Sequence, residues 1–363
     1  YDDLLAQLNL IGPQFTYDMI RIDVAQFGDI GQTIYRPLDE LSISPEGLSP
    51  RLIKNGYDSY SMLNGRVYAL PLDPSVQIFL YRTDLFHDAK LCRAYYERFH
   101  ENLVVPTTYE QYLHAAEFFT RNCNPDSPTE YGTTMTCGSA SVAASDFLPF
   151  YLSRIDRFGS TPETLRLDWP EMQAAMRQYH ALEKFSCKQN WWGDSIQKFA
   201  EGKTAMTVIY SNYAAELINS GNSVVVGRVG AAILPGCKPL LGGGIVGISR
   251  YSQKAEACKQ FFHWYYSADV ASLLVRLGGT SPIVDAYEDF QNYSIFPWMN
   301  TSKKSFGLGQ RGVINQAPER FSIPKYEFAV GTAVRSVVQD LMTPEDASHM
   351  AQALYDAADP VCR

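Results

Sequence analysis

Apolar runs of strand length alternate with amphipathic runs of helix length along this chain, and few layer architectures accommodate that order. YDMIRID, Tyr17 to Asp23, reads as a short strand. Asp23 stands at its C-terminal end, and the loop Val24-Ala25-Gln26-Phe27 follows. RVYALPLD (Arg66 to Asp73) and QIFLYR (Gln77 to Arg82) read as two more strands, separated by Pro74 and Ser75. TTYEQYLHAAEFFTR opens with a capping box, Thr108 and Gln111, and continues a helical stripe through Leu113, Ala116 and Phe119. Met172, Met176, Tyr179 and Leu182 keep the helical period in PEMQAAMRQYHALEKF. Ala255 to Leu277 reads as two helices, the second capped by Ser267 and stopped by Gly278-Gly279. Thr343-Pro344-Glu345 starts a last helix, with Met350 and Leu354 facing inward. The alternation predicts an α/β fold with largely parallel sheets.

At 363 residues the chain exceeds one simple core, so two lobes are expected, with the chain passing between them more than once. The formal net charge is −8, which argues against nucleic-acid binding, since that needs a basic face. No uncharged apolar run reaches the roughly 18 residues needed to span a bilayer. The start, YDDLLAQLNL, has neither the basic end nor the apolar core of a signal peptide. Seven scattered cysteines without C-x-x-C argue against a structural zinc site and suit a reducing compartment. The 23 tyrosines supply flat faces with a polar edge, useful in cores and against sugar rings alike.

Gly242, Gly244 and Gly247 in PGCKPLLGGGIVGISR have dinucleotide-loop spacing. That loop needs a strand before it and a helix starting on it. Here a Pro-Gly turn precedes, and the strand-like IVGIS follows. The glycines therefore read as extended backbone packed closely against something else. There is no G-x-S-x-G elbow, and the six histidines form no H-E-x-x-H, so neither nucleophilic nor metal-assisted catalysis is indicated. In WWGDSIQKFAEGKTAMTVIYSNYA, a helix carrying Ile196 and Phe199 ends at Gly202-Lys203. The strand TAMTVIY then runs into Ser211-Asn212-Tyr213, and residues just past strand ends are where open α/β sheets bind ligands.

These segments, in order, resemble the extracellular solute-binding proteins of ABC transporters, in the carbohydrate-binding group of maltose-binding protein. YDMIRIDVAQFGDIGQTIYRPLDEL is similar to the group's strand-Asp-aromatic segment, and NGRVYALPLDPSVQIFLYRTDLF to its G-K-x-Y-A-L-P segment and first crossover. FAEGKTAMTVIYSNYA is similar to F-x-x-G-K-x-A-M, and PGCKPLLGGGIVGIS to P-G-x-x-P-x-x-G-G-x-x-x-x-I. Two departures stand out. Gly244 occupies the place where a large ring usually stands. The strand, helix and strand that open the group have no counterpart before YDDLLAQL, so the first lobe is expected to be incomplete at its start.

The resemblance implies a two-lobed, periplasmic-binding-protein-like α/β fold with interlobe crossovers and a ligand cleft. The first lobe would hold 1–76 plus 241–288 and the second 77–240 plus 289–363. It implies non-catalytic binding of a mono- or oligosaccharide for delivery to a membrane permease, with no cofactor and no metal. The cleft residues carried over are Gln26, Phe27, Asp73, Ser75, Asn212, Tyr213, Gly243, Gly244 and Tyr326. Trp191, Trp192 and Trp298 are added for their side-chain type. The implied location is extracytoplasmic, periplasmic or lipid-anchored. The alternative is a cytoplasmic sugar-sensing domain of a transcription regulator, which the cysteines favour.

Overall fold

The computed structural model describes residues 17–41, 43, 51–155, 165–219, 221, 223–311 and 322–357. The helix expected at YDDLLAQL and Cys362 lie outside the described residues. Strand β1 is Met19–Asp23, with Ile20 and Ile22 turned into the core and Arg21 and Asp23 turned the other way. Asp23 then caps a short 3-10 turn, Val24–Gln26, which leads directly into helix α1, Phe27–Ile34.

The two strands expected around Pro74-Ser75 are one continuous strand, β2, Ala69–Arg82. It survives the proline because its register shifts between Pro71 and Asp73. The carbonyls of Pro71 and Leu72 accept hydrogen bonds from the hydroxyls of Tyr266 and Tyr265. Five further strands are β3 (Thr133–Thr136), β4 (Ser186–Gln189), β5 (Met206–Tyr210), β6 (Val229–Ala232) and β7 (Leu241–Ile248). The expectation of largely parallel sheets is corrected here. Among the described strands, β7 lies antiparallel between β1 and β2, and β5 and β6 pair antiparallel with the far half of β2. β3 and β4 pair in parallel. β1 and β2 do run the same way; the crossover strand inserted between them runs against both.

Local chemistry sets the helices. In α2, Tyr109–Phe118, the Thr108–Gln111 capping box forms in full. Helices α3 (Ala140–Leu152), α4 (Pro170–Glu183) and α5 (Trp192–Ala200) follow. The α4 stripe of Met172, Met176, Tyr179 and Leu182 is buried. Ala255 to Leu277 holds two helices, α6 (Ala255–Tyr265) and α7 (Ala268–Arg276). Ser267 stands at the α7 cap position, but its hydroxyl donates back to the Trp264 carbonyl instead of capping. Helices α8 (Met299–Leu308), α9 (Ile323–Val338) and α10 (Pro344–Ala357) complete the set used below.

The interior divides into two hydrophobic clusters. The first gathers Ile20, Ile22, Phe27, Leu70, Ile245, Ile248 and Phe262. The second gathers Phe79, Tyr112, Phe147, Tyr179, Met206, Val330 and Val334. Phe296, Trp298, Met299 and Phe306 pack in the first cluster, and the Asn55 side-chain amide donates to the Phe306 and Gly309 carbonyls. Helix α8 packs against β2.

Candidate functional site

Register brings Asp23, Gly244 and Asp73 side by side across β1, β7 and β2. Arg21 reaches diagonally over Gly244 to Asp73, with Nε–Oδ1 at 3.2 Å and Nη2–Oδ2 at 2.8 Å. A Cβ on Gly244 would stand 2.1 Å from Arg21 Nε and 2.3 Å from Asp73 Oδ1. The ion pair therefore fills the space that a ring at this position would take. Gly243 has φ 87°, and a Cβ there would meet the Asp73 carbonyl oxygen at 2.1 Å, so only glycine fits this crossing. Ser75 is buried opposite Gly242, and the Tyr60 hydroxyl donates to the carbonyls of both.

The turn after β1 supplies the least satisfied group. Asp23 Oδ1 accepts from the Ala25 amide at 2.9 Å. Gln26 is 2% exposed, and among the described residues neither Oε1 nor Nε2 has a partner. Its turn packs against β7 and α9. A buried amide left unpaired costs about 1–3 kcal/mol, so such a group is exceptional in a folded protein.

The opposite wall is built where β5 ends. Trp191 is 48% exposed and meets Tyr213 edge-on at 6.4 Å between centroids, with Asn212 exposed beside them. Burial pushes the Tyr213 phenol up, and hydrogen bonding with Trp191 and Asn212 opposes the rise. Deeper, Arg311 forks onto Glu327 (Nε–Oε1 3.0 Å, Nη2–Oε2 2.8 Å). It also donates to the Tyr210 hydroxyl, the Leu241 carbonyl and Ser145 Oγ. Burial raises the Glu327 carboxyl, the Arg311 guanidinium opposes it, and Asp23 adds to the rise from the first wall.

Of the residues singled out from sequence, Asp73, Ser75, Gly243 and Gly244 adjoin where β2 and β7 pair, Gln26 lies in the turn that packs on β7, and Trp191, Asn212 and Tyr213 group beyond the end of β5. The structure places four elsewhere. Phe27 is buried in the first cluster, its ring filling the space left by Gly31. Trp192 is buried edge-on against Tyr210, and Trp298 is buried with its ring tilted against Phe296. Tyr326 is buried in the second cluster beside Tyr355, and its neighbour Glu327 makes the fork with Arg311. Sequence reasoning missed Arg21, Arg311 and Glu327. The alternation of Ile20 and Ile22 with Arg21 and Asp23 carried a signal for the first; no local pattern marked Arg311. Among the described residues no His, Cys, Asp or Glu cluster could hold a metal, and Cys92, Cys123, Cys137, Cys187, Cys237 and Cys258 are free thiols.

The chain belongs to the family of bacterial extracellular solute-binding proteins, whose model matches residues 2–298. That family acts outside the cytoplasm, and its members bind solutes; the match favours delivery over the regulatory alternative. The fold is the two-lobed α/β fold of such proteins. An ABC transporter solute-binding protein from Agrobacterium radiobacter K84, in complex with ribitol, superposes with a TM-score of 0.81 at 20% identity, covering 98% of this chain and 89% of that one. Maltose-bound MalE3 of T. maritima gives a TM-score of 0.75 at 19% identity, covering 98% and 88%. UgpB from Mycobacterium tuberculosis, in complex with glycerophosphocholine, gives 0.74 at 17% identity, covering 98% and 87%.

Proposed function

We propose that this protein binds a neutral carbohydrate or polyol between its lobes and delivers it to the membrane permease of an ABC transporter, without catalysis. It works in the periplasm or anchored by lipid at the cell surface. The lobes cross at β2 and β7, near 73–80 and 236–244. The third passage lies near 288–292.

The observation that carries this reading is Gln26. Its amide offers one acceptor and two donor hydrogens in a buried, unpaired state, which suits a hydroxyl that both accepts and donates. Asp73 and Arg21 add a matched acceptor and donor pair, and Trp191 with Tyr213 offers faces for C–H surfaces. Arg21 pairs with Asp73 and Arg311 with Glu327, which suits a solute of no net charge, while Asp23 beside them accepts from the Ala25 amide.

Ribitol, D-mannitol, D-tagatose and maltose, found or named in relatives of this fold, form the first titration panel. One of them, or a close analogue, is expected to saturate a single site and to add about 2.7 kcal/mol of stability at 100 times its Kd. Gln26→Ala should weaken that binding by roughly 1–3 kcal/mol. A panel of mono- and oligosaccharides and polyols with no calorimetric or melting response would overturn the reading, as would steady turnover of any of them.

A further inference from the structure

Asp29 lies in the first turn of α1, three positions after Gln26, and Ser322 caps α9, the helix that carries Glu327. Their side chains meet across 293 positions of sequence: Ser322 Oγ donates to Asp29 Oδ2 at 2.6 Å while accepting from the Lys325 amide. α1 buries Phe27 and Ile34 in the first cluster, whereas α9 buries Tyr326, Val330 and Val334 in the second. The bond therefore joins the two bodies, and it does so away from β2 and β7, which carry the chain across.

Burial raises the Asp29 carboxyl, and the Ser322 hydrogen bond, the Lys325 charge and the two helix N-termini it stands at oppose that rise. Lys325 faces the carboxyl from α9 and Tyr355 from α10. Each end of the bond is also tied to the cleft. Gln26 opens directly into α1, and Glu327, forked onto Arg311, sits in the second turn of α9. The lobes cannot separate around Gln26 and Glu327 without breaking this contact.

We infer that Asp29 and Ser322 form a clasp between the lobes, which favours the closed form with or without solute and does not touch the ligand. The inference rests on the reading that the lobes close on a solute. Its test uses small-angle X-ray scattering and melting of the full chain with no solute added. Ser322→Asp keeps a capping acceptor on α9 but sets a like charge against Asp29. Adding Asp29→Asn to it restores a donor opposite the new acceptor.

Ser322→Asp should move the open-to-closed ratio by roughly tenfold or more, read as a larger radius of gyration. Its melting temperature should stay close to that of the parent. Asp29→Asn combined with Ser322→Asp should bring the radius back. An unchanged radius in Ser322→Asp overturns the clasp, and so does an enlarged radius that the second substitution fails to reverse. Since no solute enters this experiment, its failure is separate from failure of the carbohydrate reading, which the titrations alone decide.

Discussion

Asp146 is buried in the second cluster, where Oδ2 accepts from both the Tyr179 hydroxyl and the Thr136 amide. Burial raises its carboxyl to about 7. The folded chain therefore holds a proton that the unfolded chain releases near pH 4. Stability from this group is complete at low pH and is lost as pH rises from about 4 through about 7, by at most ~1.4 kcal/mol per pH unit. Urea unfolding at several pH values should show that slope, and Asp146→Asn, which keeps the acceptor, should flatten it. The cleft carboxylate behaves differently. Asp73 is half exposed and paired to Arg21, so Asp73→Ala should change the melting temperature little, within the ~1 kcal/mol of an exposed pair. Affinity for a solute found by titration should fall by roughly 1.5–3 kcal/mol. Arg311 is the opposite case. Arg311→Met leaves the buried Glu327 carboxylate without its fork, and a loss of about 3–5 kcal/mol in unfolding free energy is expected.

Among the elements, the contact of α3 with α9 is the closest approach. A Cβ on Gly331 would stand 1.7 Å from the Ala140 carbonyl oxygen. Alanine is the better helix former by roughly 1 kcal/mol. The clash should nevertheless win, so that Gly331→Ala destabilises by roughly 1–3 kcal/mol in denaturant unfolding. This is also the scale at which the sequence was most readable. The helices at Tyr109–Phe118, Pro170–Glu183 and Pro344–Ala357 depend on caps and stripes within a few residues, and those are visible locally. The single strand through Pro74 was not visible, because its continuity depends on Gly243 and on the Tyr265 and Tyr266 hydroxyls far along the chain. The sheet direction was misread for the same reason. Gln26 and Tyr213 were singled out because they follow the ends of β1 and β5, whereas Asp73, expected at a strand end, stands inside the continuous β2. Which tryptophan faces solvent was not legible, since Trp191 and Trp192 differ only in the tertiary packing they meet.

For the molecule as a whole, a neutral solute held by stacking and by paired charges implies affinity that changes little with salt. Titrations at about 0.05 and 0.5 M salt should agree closely; a steep loss would point to an anionic ligand. Scattering should record a smaller radius of gyration when the solute binds Ser322→Asp, the variant expected to be open without it.

The order in which the sheet is threaded has a consequence for synthesis. β7 pairs with both β1 and β2, so Met19 must find Ile248 and Ala69 must find Gly247. At the ribosome's 5–20 residues per second, β1 and β2 wait on the order of ten seconds for their shared partner to be made. Through that interval the sheet of β1, β7 and β2 cannot close. A nascent chain in this condition stays threadable, which suits a member of a family that acts outside the cytoplasm.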